Sequence, residues 1–138
     1  MFTKILVPVD LSHVDQIEKA LRAAADLSRL HEIPICYVGV TAPTPGALGH
    51  NPEEFAARLE AFAAEQSRAH GVADVSARAY TSHDPTADLH PTLMKAIEET
   101  GSDCVVVASH IPGFPEYLFA SNAGYLAMHA TVSVFVIR

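Results

Sequence analysis

Basic residues are scarce in this chain: Lys4, Lys19 and Lys95 are its only lysines, and the formal net charge over 138 residues is −7. A sequence-independent hold on nucleic-acid phosphates needs a basic patch, so nucleic acid is excluded as a direct ligand. Cysteine is nearly absent too. Cys36 and Cys104 both fall inside apolar runs, where a reduced thiol behaves as a small hydrophobe, and no CxxC or Cys/His spacing points to metal or redox chemistry. No stretch approaches the roughly 18 uninterrupted apolar residues of a membrane span. The first residues pass directly into Lys4 to Val9 without a charged region, an apolar region and a cleavage site. The expectation is a soluble, cytoplasmic protein with no membrane insertion. A GxxxxGK phosphate loop, a GxSxG nucleophile elbow, an HExxH pair and any internal repeat or low-complexity segment are also missing from this reading.

What is present is 49% hydrophobic and long enough for one packed core, so a single domain over 1–138 is expected. After Lys4, the segment to Val9 (KILVPV) is a continuous apolar run ending at Asp10. Ser12 and Asp15 follow with the spacing of a capping box, and Val14, Ile17, Leu21, Ala24 and Leu27 line one helical face. Ile33 to Val40 is a second apolar run. Thr41 to His50 is a proline- and glycine-bearing loop, after which Asn51, Pro52, Glu53 and Glu54 supply a cap, a first-turn proline and acidic residues for a helix whose buried face is Phe55, Leu59 and Phe62.

Asp74 to Tyr80 alternates Val75, Ala77 and Ala79 with polar neighbours, which predicts an edge strand with one face partly wet. Thr81 to Pro91 reads as turns. Leu93 to Thr100 reads as a short helix stopping at Gly101, and Cys104 to Val107 as a buried strand. A polar, proline-punctuated loop, a helix and a final strand complete the chain. Alternation of strands and helices implies parallel strands joined by right-handed crossovers. The expected fold is α/β, a doubly wound five-stranded parallel sheet of order 3-2-1-4-5 with four helices on its two faces. Ligands bind such sheets beyond the carboxyl ends of the strands where the winding reverses, here between the first and fourth strands, so that Asp10 faces Ala108 to Ile111.

The segments MFTKILVPVD, VVVASH and SNAGYLAMHATVSVFVIR resemble the first strand, fourth strand and terminal helix–strand unit of the universal stress protein family. The pattern ASH-x-P-x4-YL-x2-SNA resembles its F/G-type branch. The resemblance implies a Rossmann-like fold of the adenine nucleotide alpha hydrolase kind, a stress-response regulator, binding of ATP, ADP or AMP with magnesium at most as the nucleotide's counter-ion, and a homodimer. Nucleotide-binding members carry G-x-x-G, eight or nine residues, then G-[ST]. Those positions read Ala108, Ile111, Ala120 and Ser121 here, with the spacing kept and every glycine gone. A β-branched residue is costly at positive φ, and Pro112 holds Ile111 extended, so the loop cannot wrap phosphates in the glycine-dependent shape.

Carried over by position, the resemblance implies contacts from Pro8, Val9, Asp10, Val40, Ala108, His110, Ile111, Ala120, Ser121 and Asn122. Within that set Asp10 meets the ribose or adenine, Val40 the adenine through its backbone, and Ser121 with Asn122 the phosphates at a helix N-terminus. Plainer readings stand beside these. Asp10, Ser121 and Asn122 are preferred helix caps with or without a ligand. His110 orients a ligand or satisfies loop backbone, and His129 is a hydrogen-bonded packing residue. Ser82, His83, Asp84, Asp88 and His90 crowd metal-capable groups into one segment, but a solvated turn with a capping aspartate accounts for them.

A slow ATP hydrolase would need a water-activating group and metal ligands that the sequence does not display. The final run, Val132 to Ile137, has no charge, proline or glycine to blunt its edge, and pairing with its own copy across a twofold axis is expected. Two functions follow: a nucleotide-binding dimeric regulator, or a module that has lost nucleotide binding and regulates a protein partner such as a transporter or kinase.

Overall fold

The computed structural model describes residues 1–46, 49–85, 88–109 and 122–138. Its elements in chain order are β1 (Ile5–Pro8), a 3₁₀ turn (Val14–Gln16), α1 (Glu18–His31), β2 (Ile35–Thr41), α2 (Pro52–His70), β3 (Val75–Thr81), α3 (Leu89–Thr100), β4 (Cys104–Ala108), α4 (Asn122–His129) and β5 (Ser133–Ile137). All strand pairs are parallel and the order is β3-β2-β1-β4-β5, as the alternation predicts. With right-handed crossovers, α1 and α2 share one face and α3 and α4 the other. The two continuous apolar runs occupy the centre: every residue of β1 and of β4 is buried. β3 and β5 form the edges, with partly exposed patterns.

Asp103 sets the start of β4 against β1. Its carboxylate accepts from the backbone N–H of Thr3 and Lys4 at 2.9 and 3.1 Å and from the Thr3 hydroxyl at 3.0 Å. Burial alone would raise this acid, but the donated hydrogen bonds outweigh it and hold the pKa below the usual carboxylate value. Burial, then the Asp103 charge beside it, pushes the Cys104 thiol up to about 11, so it packs as a neutral hydrophobe; Cys36 is likewise a buried free thiol.

The α2 start matches its sequence: Asn51 Oδ1 accepts from the Glu54 N–H at 2.8 Å, and Pro52 takes the first helical position. Phe55 and Leu59 are buried, and Phe62 is half-buried with its ring edge-on to Tyr37. Two expectations are corrected. The capping box does not form, because Asp10 captures the Ser12 N–H at 3.0 Å and the chain makes a 3₁₀ turn before α1 begins at Glu18. α3 begins four residues before the expected Leu93; fully buried Leu89 anchors its first turn, and Pro91 lies in that turn, where no N–H is needed.

A short repeat, passed over in the sequence, closes the first two helices. Ser28-Arg-Leu-His-Glu32-Ile33 and Ser67-Arg-Ala-His-Gly71-Val72 share one geometry. In each, the serine hydroxyl donates to the carbonyl five residues on at 2.6 Å, and the N–H of that residue returns to the serine carbonyl at 3.1 and 3.2 Å. The fifth position is left-handed in both, φ 53° at Glu32 and 67° at Gly71.

Candidate functional site

The opening at the carboxyl end of the sheet originates in Pro8. Along β1, Ile5 and Val9 donate their N–H groups toward β2, to Pro34 and Val38 oxygens at 2.9 and 2.8 Å, while the Lys4 carbonyl accepts from Cys104 at 3.3 Å. Odd residues therefore face β2 and even residues face β4. Pro8 is the next even position, and it has no N–H to give. The β1–β4 register stops at Leu6↔Val105, whereas β1–β2 continues to Pro8↔Val38 and β4–β5 to Ala108↔Ile137. The sheet thus parts at the point where its winding reverses.

Backbone polar groups turn into that gap from both sides. On β2, Ile35 donates to β3 at Asp74, so even residues face β1, and Val40 lies beyond the last rung between Val9 and Val38. On β4, Ser109 donates to the Ile137 oxygen of β5 at 2.8 Å, so Ala108 faces β1 from the other side. Val40 and Ala108 are 8% and 5% exposed. At the mouth stands Asp10, buried at 8% exposure, with Oδ1 accepting from Ser12 N–H at 3.0 Å and Oδ2 paired with His13 Nδ1 at 2.9 Å. The arrangement sets backbone amide groups of two strands and one acidic acceptor around the parted end of the sheet.

Pro8, Val9, Asp10, Val40 and Ala108 are thus brought together at one end of the sheet, and Asn122 is the first residue of α4. His110, Ile111, Ala120 and Ser121 lie outside the described residues. His13 went unremarked in the sequence; an imidazole three residues after a strand-end aspartate is the signal that would have found it.

The described side chains between Ser82 and His90 engage one another and their neighbours. Ser82 Oγ donates to Asp88 Oδ2 at 2.6 Å and accepts from Asp84 N–H at 3.2 Å, so Asp88 braces the turn instead of capping α3. The His90 ring stacks on Tyr125, 3.9 Å between centroids. His129, expected as a packing residue, is instead exposed, with its ring tilted against that same Tyr125 at 4.3 Å between centroids. Among the described residues no three His, Cys, Asp or Glu side chains are disposed to hold a metal ion, and no helix is long and apolar enough to cross a membrane.

Comparison with known proteins places this geometry. The chain is 27% identical over 149 residues to universal stress protein G of Shigella flexneri, covering all of both chains. It is similar in fold to the universal stress protein of Archaeoglobus fulgidus solved in complex with dAMP, at 23% identity, TM-score 0.65, and coverage of 99% and 98% of the two chains. It is also similar to a universal stress protein solved in complex with cAMP, at 16% identity, TM-score 0.70, and coverage of 99% and 97%. The family model of the universal stress proteins matches residues 1–138. The chain, with its parted five-stranded sheet, belongs to the universal stress protein family.

Proposed function

We propose that the parted end of the sheet above β1 binds an adenine nucleotide and that the protein acts in the cytoplasm as a dimeric regulator of stress response, with the nucleotide as its signal. The observation that carries this reading is the convergence of the Val40 and Ala108 backbone groups and the Asp10 carboxylate on one gap. Adenine presents an amine donor beside a ring-nitrogen acceptor, which a single residue's C=O and N–H at Val40 complement. Ribose hydroxyls are donors, and a carboxylate at the rim accepts them. Phosphates take the N-terminal end of α4 at Ser121 and Asn122, where helix N–H groups hold an anion, with magnesium at most as their counter-ion. Two solved relatives, the dAMP and cAMP complexes, hold nucleotides of this class.

Dimerisation is proposed through β5, whose outer edge has no strand beside it among the described residues; Phe135 and Val136 are each 37% exposed. The second reading, an interaction module that acts on a protein partner without nucleotide, draws on Ile111 standing where a loop glycine would. Titration calorimetry with ATP, ADP and AMP separates the two. Saturable heat with at least one nucleotide is expected. The absence of heat and of any thermal shift at millimolar ligand refutes the nucleotide reading and leaves the interaction module.

A further inference from the structure

Resting on that reading, we propose that His13 is a positioning residue that aims the Asp10 carboxylate at the ribose of the bound nucleotide. A carboxylate held by one hydrogen bond pivots about its Cβ–Cγ bond; one held on both oxygens does not. Asp10 is held on both, by the Ser12 N–H on Oδ1 at 3.0 Å and by His13 Nδ1 on Oδ2 at 2.9 Å. In such a pair the carboxylate is the acceptor, which makes His13 Nδ1 the donor.

The imidazole is itself well placed. Its backbone N–H returns to the Asp10 carbonyl at 3.0 Å, and its carbonyl accepts from Gln16 at 3.1 Å in the 3₁₀ turn. Ile17, 1% exposed, pins that turn to the core. The Asp10 side chain is 9% exposed and the His13 side chain 28%, so the pair lies at the rim where a ligand arrives, screened by solvent less than a surface pair and more than a core one. A carboxylate offers about four acceptor sites in all, so it can serve donors of its own turn and a hydroxyl together. Hydroxyl-to-carboxylate bonds are short and direction-dependent, which makes orientation matter.

The test uses AMP and 2′,3′-dideoxy-AMP against the wild type, His13→Ala and His13→Asn, by titration calorimetry. Asparagine places an amide N–H near the position of Nδ1–H. His13→Ala is expected to weaken AMP about five- to tenfold, the range of one directing hydrogen bond, and to leave the dideoxy ligand unchanged. His13→Asn should recover most of the loss. An equal loss for both ligands, no loss for AMP, or failure of a folded His13→Asn to recover it would each overturn the inference. Nitrogen-15 NMR of the ligand-free wild type should show a protonated Nδ1, and an unprotonated one sinks the inference with no ligand involved. A wild type that binds AMP no better than the dideoxy form instead refutes the Asp10–ribose contact of the functional reading itself.

Discussion

Glu32 sits in a conformation its repeat partner occupies with glycine, and replacing it should stabilise the protein. A non-glycine residue in the left-handed region costs about 1–2 kcal/mol, and glycine returns roughly 0.5–1 kcal/mol of this through the greater freedom of its unfolded chain. The net gain is about 0.5–1 kcal/mol. Glu32 is exposed and makes no ion pair or hydrogen bond through its side chain among the described residues, so nothing offsets that gain. It also places a negative charge at the negative end of α1, worth about 0.3 kcal/mol more when removed. Glu32→Ala removes the charge and keeps the strained φ, so the difference between Glu32→Gly and Glu32→Ala isolates the backbone.

The mirror substitution, Gly71→Ala, meets no atom within 4 Å of its new Cβ, so its cost is conformational alone, about 1 kcal/mol of destabilisation. With an unfolding entropy of about 2.1 cal/mol/K per residue, 1 kcal/mol corresponds to about 3 °C in Tm. Calorimetric melts should raise Tm by about 2–3 °C for Glu32→Gly relative to Glu32→Ala and lower it by about 3 °C for Gly71→Ala. A Glu32→Gly no more stable than Glu32→Ala would refute the account of the repeat.

Gly39→Ala should destabilise by about 1–2 kcal/mol in urea melts, because its Cβ would lie 2.9 Å from Phe55 Cζ and 3.3 Å from Leu59 Cδ2; Phe55→Leu in the same chain should recover part of it. Val134→Pro should give monomers by light scattering with the fold intact. Ser109 donates to Ile137, so odd residues of β5 face β4 and the Val134 N–H points outward, where its loss costs no internal rung. Asp103 has a depressed folded pKa, so its contribution is complete above the unfolded value of about 3.9 and is lost as pH falls below that value toward the folded one. Asp103→Asn should flatten the fall in stability over that acid window, and an unchanged acid limb in melts from pH 5 to 2 would contradict the role given to Thr3 and Lys4.

The architecture was legible because burial writes itself into composition: KILVPV and CVVVA cannot lie at the surface of a sheet, and Asn51-Pro52 fixes a helix start chemically. Local competition was harder to read. Ser12 and Asp15 have the spacing of a capping box, yet the nearer Asp10 carboxylate takes the Ser12 N–H first. Pro91 reads as a helix breaker, yet in a first turn it breaks nothing, and Leu89 settles the start by burial. The serine repeat escaped notice because six residues at two helix ends produce no period. At the site, Asp10 and Ala108 followed from strand ends and the reversal of winding, and Val40 from the family resemblance. The aim of the Val40 and Ala108 amides needed the hydrogen-bond phase of three strands, which only coordinates supply.

Parallel strands ordinarily knit together rung by rung until their ends. Here the stitch is dropped by a pyrrolidine ring at Pro8, through a hydrogen atom that its nitrogen never had. The parting of these two strands is consequently a matter of covalent chemistry, written into the backbone before any side chain packs.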